Sequence, residues 1–247
     1  MSIQALDDDT PGIVGPPTTC VEVKLKSTPD ITDKAGVPYL ITDKHDVDGN
    51  VVYGRGEICV KGKNVMVGYY KMPEETKKVK DQDGFFSTGD VGQFMEDGSI
   101  RIVDRVKNLV KLKGGEYIAI ERMEMTYGNC KYVDAAQGGI MCYGDGDMDR
   151  PIALMHLNET VAQEWASANG NVSISSDEMK KEVLNAMLTE WKTAGLSHLE
   201  KLVAISFLDD VWTPENGCLT AANKLQRKAV IAKFNSMFEA TKKKAIF

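Results

Sequence analysis

The sequence lacks any long hydrophobic run. Apolar stretches such as Ile152 to Met155 and Leu202 to Ile205 are short, whereas a membrane-spanning helix needs about 20 apolar residues. The segment from Met1 to Pro11 also carries three aspartates, Asp7 to Asp9, where a secretory signal would place basic residues and then an apolar stretch. We therefore expect no transmembrane segment and no secretion.

Positive charge is also in short supply. Thirty lysines and arginines stand against 36 acidic residues, which gives a net charge of -6 and a pI of about 5.2. This balance argues against general affinity for nucleic acid or anionic lipid, so any site for a polyanion has to be local. One basic concentration runs from Lys224 to Lys244, and its ordinary interpretation is a solvated helix face and tail.

Cysteine and histidine are sparse and scattered. The five cysteines include no pair two residues apart, which favours a reducing compartment over a disulfide framework, and the three histidines lack zinc-site spacing. Asp145, Asp147 and Asp149 begin like a calcium loop. However, Arg150 stands where that loop needs glycine and His156 where it needs glutamate. An acidic surface turn is favoured, and no metal site is predicted.

Several catalytic signatures are missing. The segment Gly54 to Gly56 lacks the third glycine and the strand-turn-helix context of a dinucleotide fingerprint. The chain has no glycine-rich loop ending in Gly-Lys-Ser/Thr and no Gly-x-Ser-x-Gly elbow. It therefore has no obvious triphosphate cradle of its own, and a serine hydrolase has little support.

The first part of the chain, to about Arg105, is rich in short β-type runs separated by glycine, proline and Asp-Gly turns. Asp97-Gly98 separates two such runs and predicts a tight hairpin, and the segment from Pro73 to Lys80 predicts a short helix. Other predicted strands are Val21 to Leu25, Val51 to Tyr53 and Glu57 to Val60.

After Lys107, helical patterns alternate with short apolar strands, which indicates a second, α/β unit. Ser175 and Glu178 have capping-box spacing at the start of one predicted helix. The predicted helices are Ile120 to Tyr127, Asp177 to Lys192 and Lys228 to Ala240. The predicted strands are Ala135 to Cys142, Pro151 to Leu157 and Leu202 to Leu208.

Five segments together carry a more specific signal. They are Gly56 to Tyr70, Phe85 to Asp90, Asp97 to Lys107, Lys113 to Glu124, and Asn216 to Lys224 with Arg227 three residues later. Their order and spacing resemble the C-terminal half of adenylate-forming enzymes, most closely long-chain acyl-CoA synthetases. Taken singly, a Thr-Gly-Asp or an Asp-Arg pair is commonplace, but the ordered set is specific.

The resemblance implies that Asp90 and Arg105 hold the ribose of ATP and of the acyl adenylate. A carboxylate can accept two hydrogen bonds at once, which suits the vicinal hydroxyls of a ribose. The alternative is structural: Asp90 caps the turn after Thr88-Gly89, and Arg105 forms a surface ion pair.

The resemblance also makes Lys224 the catalytic lysine, because a positioned ammonium can stabilise the negative charge that develops as a carboxylate attacks the α-phosphate. It places the domain hinge at Lys107 and a close backbone passage for coenzyme A at Gly114 and Gly115. The alternatives are an exposed lysine before a helix and an ordinary tight turn. The family favours proline or glycine near this lysine, whereas this chain has Ala221 to Asn223.

The fold class implied is mixed α+β. Residues 1–106 would form the β-rich C-terminal part of the large AMP-binding domain, and residues 107–247 the small, mobile α/β lid domain. The family's phosphate loop, acyl tunnel and magnesium-associated glutamate lie upstream of the matching region, so the Mg²⁺ ligand is expected in that missing N-terminal part. Three origins stay open for such a chain: a cloned fragment, a truncated gene model and one part of a split protein.

The function implied is that of an ATP-dependent, AMP-forming long-chain fatty acid–CoA ligase, of which this chain alone is predicted to be inactive. Fatty acid, ATP and coenzyme A would be its small-molecule ligands, with Mg²⁺ as cofactor and no nucleic acid. The full-length protein would be cytoplasmic or peripherally associated with the cytoplasmic face of an organelle membrane. Two rivals are an adenylate-forming enzyme for another carboxylic acid and a noncatalytic binding or regulatory derivative of the fold.

Overall fold

A computed structural model describes residues 2–4, 12–33 and 35–246, so the acidic stretch from Asp7 to Asp9 lies outside the described residues. The chain divides into two compact units, one running to Leu109 and the other starting at Val110. Within the described ranges, no helix combines the length and the apolar character that crossing a bilayer requires.

The first unit is built on an antiparallel four-stranded sheet with strand order β1-β4-β5-β6, beside a small β2-β3 pair. Its elements are β1 (Val21–Lys26), β2 (Thr28–Thr32), β3 (Pro38–Tyr39), β4 (Val52–Gly62), helix α1 (Pro73–Val79), β5 (Phe86–Met95) and β6 (Ile100–Arg105). The structure confirms the strand starting at Val21, the helix starting at Pro73 and the hairpin at Asp97-Gly98.

One strand differs from the prediction. The runs at Val51 and Glu57 are parts of a single long strand, β4, rather than two strands separated by a glycine turn. The reason is close packing of backbone on backbone: a Cβ at Gly56 would lie 2.2 Å from the carbonyl oxygen of Lys26. Glycine here permits a neighbouring segment to approach and does not end the strand.

A buried arginine connects β4 to the β2-β3 pair. The Arg55 side chain is 3% exposed; it donates from Nη1 to Asp33 (2.7 Å) and from Nε to Asp43 (2.6 Å). Its Nη2 donates to the carbonyl of Pro38 at 3.1 Å, and the guanidinium lies over the ring of Tyr39. Burial acts to lower the pKa of Arg55, but the hydrogen bonds to the two aspartates outweigh it and raise that pKa. One cation therefore binds two carboxylates inside the unit.

The second unit surrounds a three-stranded sheet of order β11-β10-β9, in which β10 is parallel to β11 and antiparallel to β9. A hairpin of β7 and β8 precedes this sheet. The elements are β7 (Leu109–Lys111), β8 (Tyr117–Ala119), α2 (Ile120–Tyr127), β9 (Ile140–Tyr143), β10 (Ile152–Met155), α3 (Glu159–Ala168), α4 (Asp177–Thr193), β11 (Ala204–Phe207), α5 (Arg227–Lys233) and α6 (Asn235–Lys242).

Helices cover both faces of this sheet because its strands are apolar on both sides. Alternate residues of β10 enter different hydrophobic clusters: Ala153 and Met155 pack in the cluster that contains Met123 of α2, with residues of α3 and α4. Ile152 and Leu154 pack in the other, with residues of α5 and α6. Successive strand side chains point to opposite faces, so the continuous apolar run of β10 specifies a central strand buried on both sides.

Strand β9 begins at Ile140, so the predicted start at Ala135 is wrong. The preceding residues form a turn around Asp134, whose Oδ1 accepts the N–H of Ala136 at 2.9 Å and the N–H of Gln137 at 3.3 Å. Gly139 follows with φ of +80°. Aspartate commonly closes such turns by bonding backbone N–H groups two and three residues on, and this local bonding overrides the apolar pattern.

The predicted helices of the second unit need three corrections. The N-cap of α4 is Ser176, which accepts from the Met179 N–H, because the hydroxyl of Ser175 is 2.9 Å from that of Ser173. The segment predicted as one helix from Lys228 to Ala240 is two helices, α5 and α6, interrupted at Phe234 with φ of -106° and ψ of 30°. Helix α3 was not predicted, although Asn158 caps it by accepting from the Val161 N–H.

Candidate functional site

Asp90 lies in a bulge of the first unit's sheet. Between the two regular stretches of the β4-β5 ladder, β5 has three residues, Thr88 to Asp90, where β4 has only Ile58. Gly89 takes a φ of +77°, a conformation that glycine adopts without a steric cost. Such extra residues bend a strand and redirect its side chains, so the bulge determines where the Asp90 carboxylate points.

Two other side chains hold this bulge closed. Thr88 donates its hydroxyl to the Ile58 carbonyl at 2.8 Å and accepts the Asp90 N–H at 3.0 Å, and Glu57 accepts the Gly89 N–H at 3.2 Å. Sequence reasoning missed Glu57, which lies 32 residues before Gly89 and reaches it only across the sheet. Because the side chains of Thr88 and Glu57 make the hydrogen bonds that close the turn, the turn does not require the Asp90 carboxylate.

The carboxylate of Asp90 faces Arg105 on the neighbouring strand. The two residues are register partners of β5 and β6, and Arg105 Nε lies 3.2 Å from Asp90 Oδ1. The side chain of Asp90 is 20% exposed and that of Arg105 is 61% exposed. The surface ion pair of the structural alternative is therefore present. This ion pair uses one oxygen of the Asp90 carboxylate and the Nε of Arg105. A carboxylate has further acceptor sites and a guanidinium has further donors, so both groups can bind a ligand as well.

Lys107 lies in a single 3-10 turn, Val106–Asn108, that follows β6. The Asp104 carboxylate accepts the Arg105 N–H at 2.6 Å and the Asn108 side-chain amide at 3.2 Å. Lys107 itself is exposed. Hydrogen bonds to Asp104 thus hold the residues on both sides of Lys107. The role of Lys107 as a hinge remains a prediction.

Gly114 and Gly115 form the tight turn of the β7-β8 hairpin in the second unit. The Gly115 N–H donates to the Leu112 carbonyl at 2.9 Å, and Gly115 has φ of +95°. A Cβ at Gly114 would lie 2.4 Å from a carboxylate oxygen of Glu116. The positive φ therefore favours glycine at Gly115, whereas the flexible Glu116 side chain could move away from a Cβ at Gly114. No further role follows from the contacts alone.

Lys224 lies on a small hairpin that precedes α5. Leu219 and Leu225 form a bridge across it, the Thr220 N–H donates to the Lys224 carbonyl at 2.8 Å, and the Lys224 N–H donates to Thr220 Oγ1 at 3.1 Å. Asn223 takes φ of +55°, a conformation that asparagine tolerates better than most residues. Asn223 thus makes the tight turn here without proline or glycine, and Lys224 is exposed beside it.

An ion pair lies just downstream of this hairpin. Arg227, the first residue of α5, binds Glu124 of α2 through both terminal nitrogens, with Nη2 2.7 Å from Oε2. The same two side chains bind the backbone of Cys142 in β9: Glu124 Oε1 accepts its N–H at 2.8 Å, and Arg227 Nη1 donates to its carbonyl at 3.2 Å. Glu124 and Arg227 both belong to the recognised segments, but no local pattern links two residues 103 positions apart.

Burial and charge oppose each other in this pair. Burial raises the pKa of Glu124, and the hydrogen bonds from Arg227 and the Cys142 N–H offset this only in part. Burial acts to lower the pKa of Arg227, but the hydrogen bond to Glu124 outweighs it and raises that pKa. Burial therefore disfavours the charged form of both side chains, and their mutual contact opposes this effect in each of them.

The residues that the structure describes do not bring together three or more His, Cys, Asp or Glu side chains that could hold a metal ion. We therefore assign no ligand of Mg²⁺ to these residues.

The chain resembles proteins of one superfamily, although no protein-family model matches it. It is 34% identical over 226 residues to Long chain acyl-CoA synthetase 6, peroxisomal, from Arabidopsis thaliana, and 33% identical over 231 residues to Long-chain-fatty-acid–CoA ligase 1 from Saccharomyces cerevisiae. Each match covers 89% of this chain and 30% of the relative. The chain thus spans less than a third of these relatives.

A solved structure agrees with the sequence matches. The A domain of a carboxylic acid reductase from Segniliparus rugosus, in complex with AMP and a co-purified carboxylic acid, has a TM-score of 0.72 and 30% identity, covering 92% of this chain and 32% of that one. ATP-bound MatB from Rhodopseudomonas palustris shares the fold, with a TM-score of 0.54 at 22% identity.

The fold therefore matches part of the adenylation domain, and the chain is similar to enzymes of the adenylate-forming superfamily over most of its length. Within that superfamily it resembles long-chain acyl-CoA synthetases over most of its length and corresponds to a C-terminal portion of their fold.

Proposed function

We propose that this chain is the C-terminal portion of an ATP-dependent, AMP-forming long-chain fatty acid–CoA ligase. In the complete reaction, a fatty carboxylate attacks the α-phosphate of ATP and releases pyrophosphate, and the thiol of coenzyme A then displaces AMP from the acyl adenylate. The observation that carries the proposal is the Asp90–Arg105 pair at a sheet bulge, in a chain whose relatives are named as a long-chain acyl-CoA synthetase and a long-chain fatty-acid–CoA ligase.

In this proposal, Asp90 and Arg105 would bind the nucleotide in different ways. Asp90 would accept the two ribose hydroxyls, because an ionised carboxylate has acceptor sites beyond the one that faces Arg105. Arg105 pairs with that carboxylate through Nε and can donate from its terminal nitrogens to the same nucleotide. Thr88 and Glu57 support this arrangement by fixing the backbone on either side of Gly89.

Lys224 would stabilise negative charge in the first half-reaction. A carboxylate and a phosphate repel each other, and an ammonium placed between them lowers the free energy of the transition state. Lys224 suits this because it is exposed on a hairpin whose backbone is fixed by Thr220. In the second half-reaction, Lys107 would act as the hinge of the small domain, and Gly114 and Gly115 would line the passage for the pantetheine arm.

A second candidate is an adenylate-forming enzyme for another carboxylic acid. The specific observation in its favour is the 30% identity and TM-score of 0.72 to the A domain of a carboxylic acid reductase. The two candidates share the adenylation chemistry and the residues assigned to it. They differ in the acid and in the acceptor of the acyl group, so substrate profiling separates them.

The test joins this chain to the rest of a ligase. In a chimera, the chain replaces the matching portion of the Saccharomyces cerevisiae ligase, and palmitate-dependent ATP–pyrophosphate exchange and palmitoyl-CoA formation are measured. We expect both activities. Lys224→Ala should impair exchange far more than thioester formation from supplied palmitoyl adenylate, whereas Lys228→Ala, on an exposed residue of α5, should change neither. A folded chimera without exchange, or equal losses in both half-reactions for Lys224→Ala, would contradict the assignment.

The ribose role of Asp90 has its own test in the same chimera. Asp90→Ala should weaken AMP binding about tenfold or more, since two hydroxyls lose an ionised acceptor. Asp30→Ala, at an exposed position of β2, serves as the matched control. Unchanged AMP affinity in a folded Asp90 variant, measured by calorimetry, would argue against this role.

The 247-residue chain alone should not activate fatty acids, because its sequence contains no phosphate-gripping loop and Lys224 then has no oriented target. The measurement is pyrophosphate release and acyl-CoA production with ATP, Mg²⁺, palmitate and coenzyme A. Sustained turnover that disappears in the Lys224→Ala chain would show that this expectation is wrong.

A further inference from the structure

Cys142 lies on an edge of the second unit's sheet, yet its backbone groups are fully engaged. Strand β9 is the last strand of the sheet, and Cys142 stands opposite Ala153 of β10. In an antiparallel ladder, the N–H and C=O of one residue point to the same side. Here both point outward, to Glu124 and Arg227, respectively. The ion pair thus binds the edge as a neighbouring strand would.

This arrangement holds three elements together with charge-assisted bonds. Glu124 comes from α2, Cys142 from β9 and Arg227 from α5, and the two side chains are 16% and 30% exposed. A bidentate guanidinium–carboxylate contact is among the strongest and most directional of protein hydrogen-bond pairs. Arg227 is therefore fixed in both position and orientation relative to the sheet.

Arg227 directly follows the hairpin that carries Lys224. The hairpin is held at its base by Gln226, whose N–H donates to the Cys218 carbonyl at 2.8 Å and whose side chain donates to the Leu219 carbonyl at 3.1 Å. Cys218 is fully buried. The upstream end of the hairpin is thus anchored in the core, and the downstream end continues into the residue that Glu124 binds.

We propose that Glu124 is a positioning residue for Lys224, acting through Arg227: the ion pair on the β9 edge fixes the downstream end of the hairpin and so the place of the lysine. This inference rests on the proposed function of Lys224 in adenylation. Lys224 precedes Arg227 by three residues, a distance of at most about 11 Å along the chain. A shift of the anchor therefore reaches the ammonium, and a misplacement of about 1 Å can cost on the order of a hundredfold in rate.

The first measurement uses the 247-residue chain and follows amide hydrogen exchange at Thr220, Asn223 and Lys224. Each of these amides donates a hydrogen bond within the hairpin. Glu124→Ala should speed their exchange about tenfold to a hundredfold, as expected for loss of a hydrogen-bonded charge, while amides of α4 report on global stability. Glu124→Gln keeps a side-chain acceptor for the Cys142 N–H and should have a smaller effect.

The matched control is Glu164→Gln, an identical change at an exposed position of α3. It should leave amide exchange in the hairpin unchanged. If Glu124→Ala is too unstable to purify, the comparison of Glu124→Gln with Glu164→Gln tests the proposal. Unchanged exchange at the three amides in a folded Glu124 variant overturns the proposal.

The second measurement uses the chimera and separates the half-reactions. Glu124→Gln should lower the rate of palmitate-dependent ATP–pyrophosphate exchange and leave thioester formation from supplied palmitoyl adenylate near its original rate, which a general loss of structure would not do. In the Lys224→Ala background, Glu124→Gln should have little further effect. A full additive loss in that background overturns the positioning role.

The two proposals can fail separately. If Lys224→Ala leaves ATP–pyrophosphate exchange unchanged, the proposed role of Lys224 is wrong. The positioning inference is then wrong as well, even if amide hydrogen exchange in the hairpin changes. If Lys224→Ala abolishes ATP–pyrophosphate exchange but both Glu124 variants keep that activity and the slow amide hydrogen exchange of the hairpin, the role of Lys224 stands and only the positioning inference is overturned.

Discussion

Replacing Arg55 by methionine should destabilise the first unit by about 3 to 5 kcal/mol, the cost of leaving a buried charge without its partner. The magnitude follows from the surroundings: Asp33 and Arg55 are each 3% exposed and Asp43 is 15% exposed, so water cannot replace the lost guanidinium. Methionine retains most of the side-chain volume, which limits any cavity and leaves the unpaired carboxylates as the main cost.

Arg105→Met is the matched control in the same sheet. Its ion pair with Asp90 is 61% exposed on the arginine side, so we expect a loss of no more than about 1 kcal/mol. Unfolding of the first unit in urea should be monitored through hydrogen exchange of the β4 amides. Tryptophan fluorescence reports on the second unit instead, because Trp165, Trp191 and Trp212 all lie there. Equal stability losses for the two arginine variants would refute the reasoning.

Two further predictions concern the second unit. Met123→Ala removes a fully buried side chain of α2 and should cost about 2 to 5 kcal/mol, whereas Met125→Ala, at a position 76% exposed on the same helix, should stay within about 0.5 kcal/mol in urea unfolding. Burial raises the pKa of Tyr132 and of Tyr143 from 10.0 to about 12. Because the folded values exceed the unfolded one, this contribution to stability is complete below pH 10 and is lost as the pH rises through about 12. Unfolding midpoints against pH should show this decline, and phenylalanine at both positions should flatten it; an unchanged slope would contradict the assignment.

Much of the fold could be predicted because local signals and tertiary packing agree in it. Helix α2 has the predicted bounds, Ile120 to Tyr127, and its buried residues follow the apolar pattern. The failures arose where one local contact decided the outcome. Ser175 has the right spacing for a cap but bonds to Ser173, so Ser176 caps α4. The apolar pattern fits a continuous helix through Phe234, but the backbone of Phe234 is not helical and separates α5 from α6.

The candidate site was only partly accessible to sequence reasoning. Asp90, Arg105 and Lys224 became candidates because the ordered set of segments that contains them resembles adenylate-forming enzymes, and their roles remain predictions. Glu57 could not, because its contact with the Gly89 N–H depends on the register of β4 against β5. Register is a property of the folded sheet and leaves no mark on the residues next to Glu57 in the sequence.

The ion pair at Cys142 also affects how copies of this chain can associate. An edge strand with unengaged N–H and C=O groups is a template on which a strand from another molecule can pair, and natural sheets block it with charge, proline or bulges. Here a glutamate and an arginine from two helices occupy the backbone groups of one edge residue. Any approaching strand would have to displace a bidentate ion pair before forming its first hydrogen bonds at that position. The contact therefore protects β9 against intermolecular sheet growth.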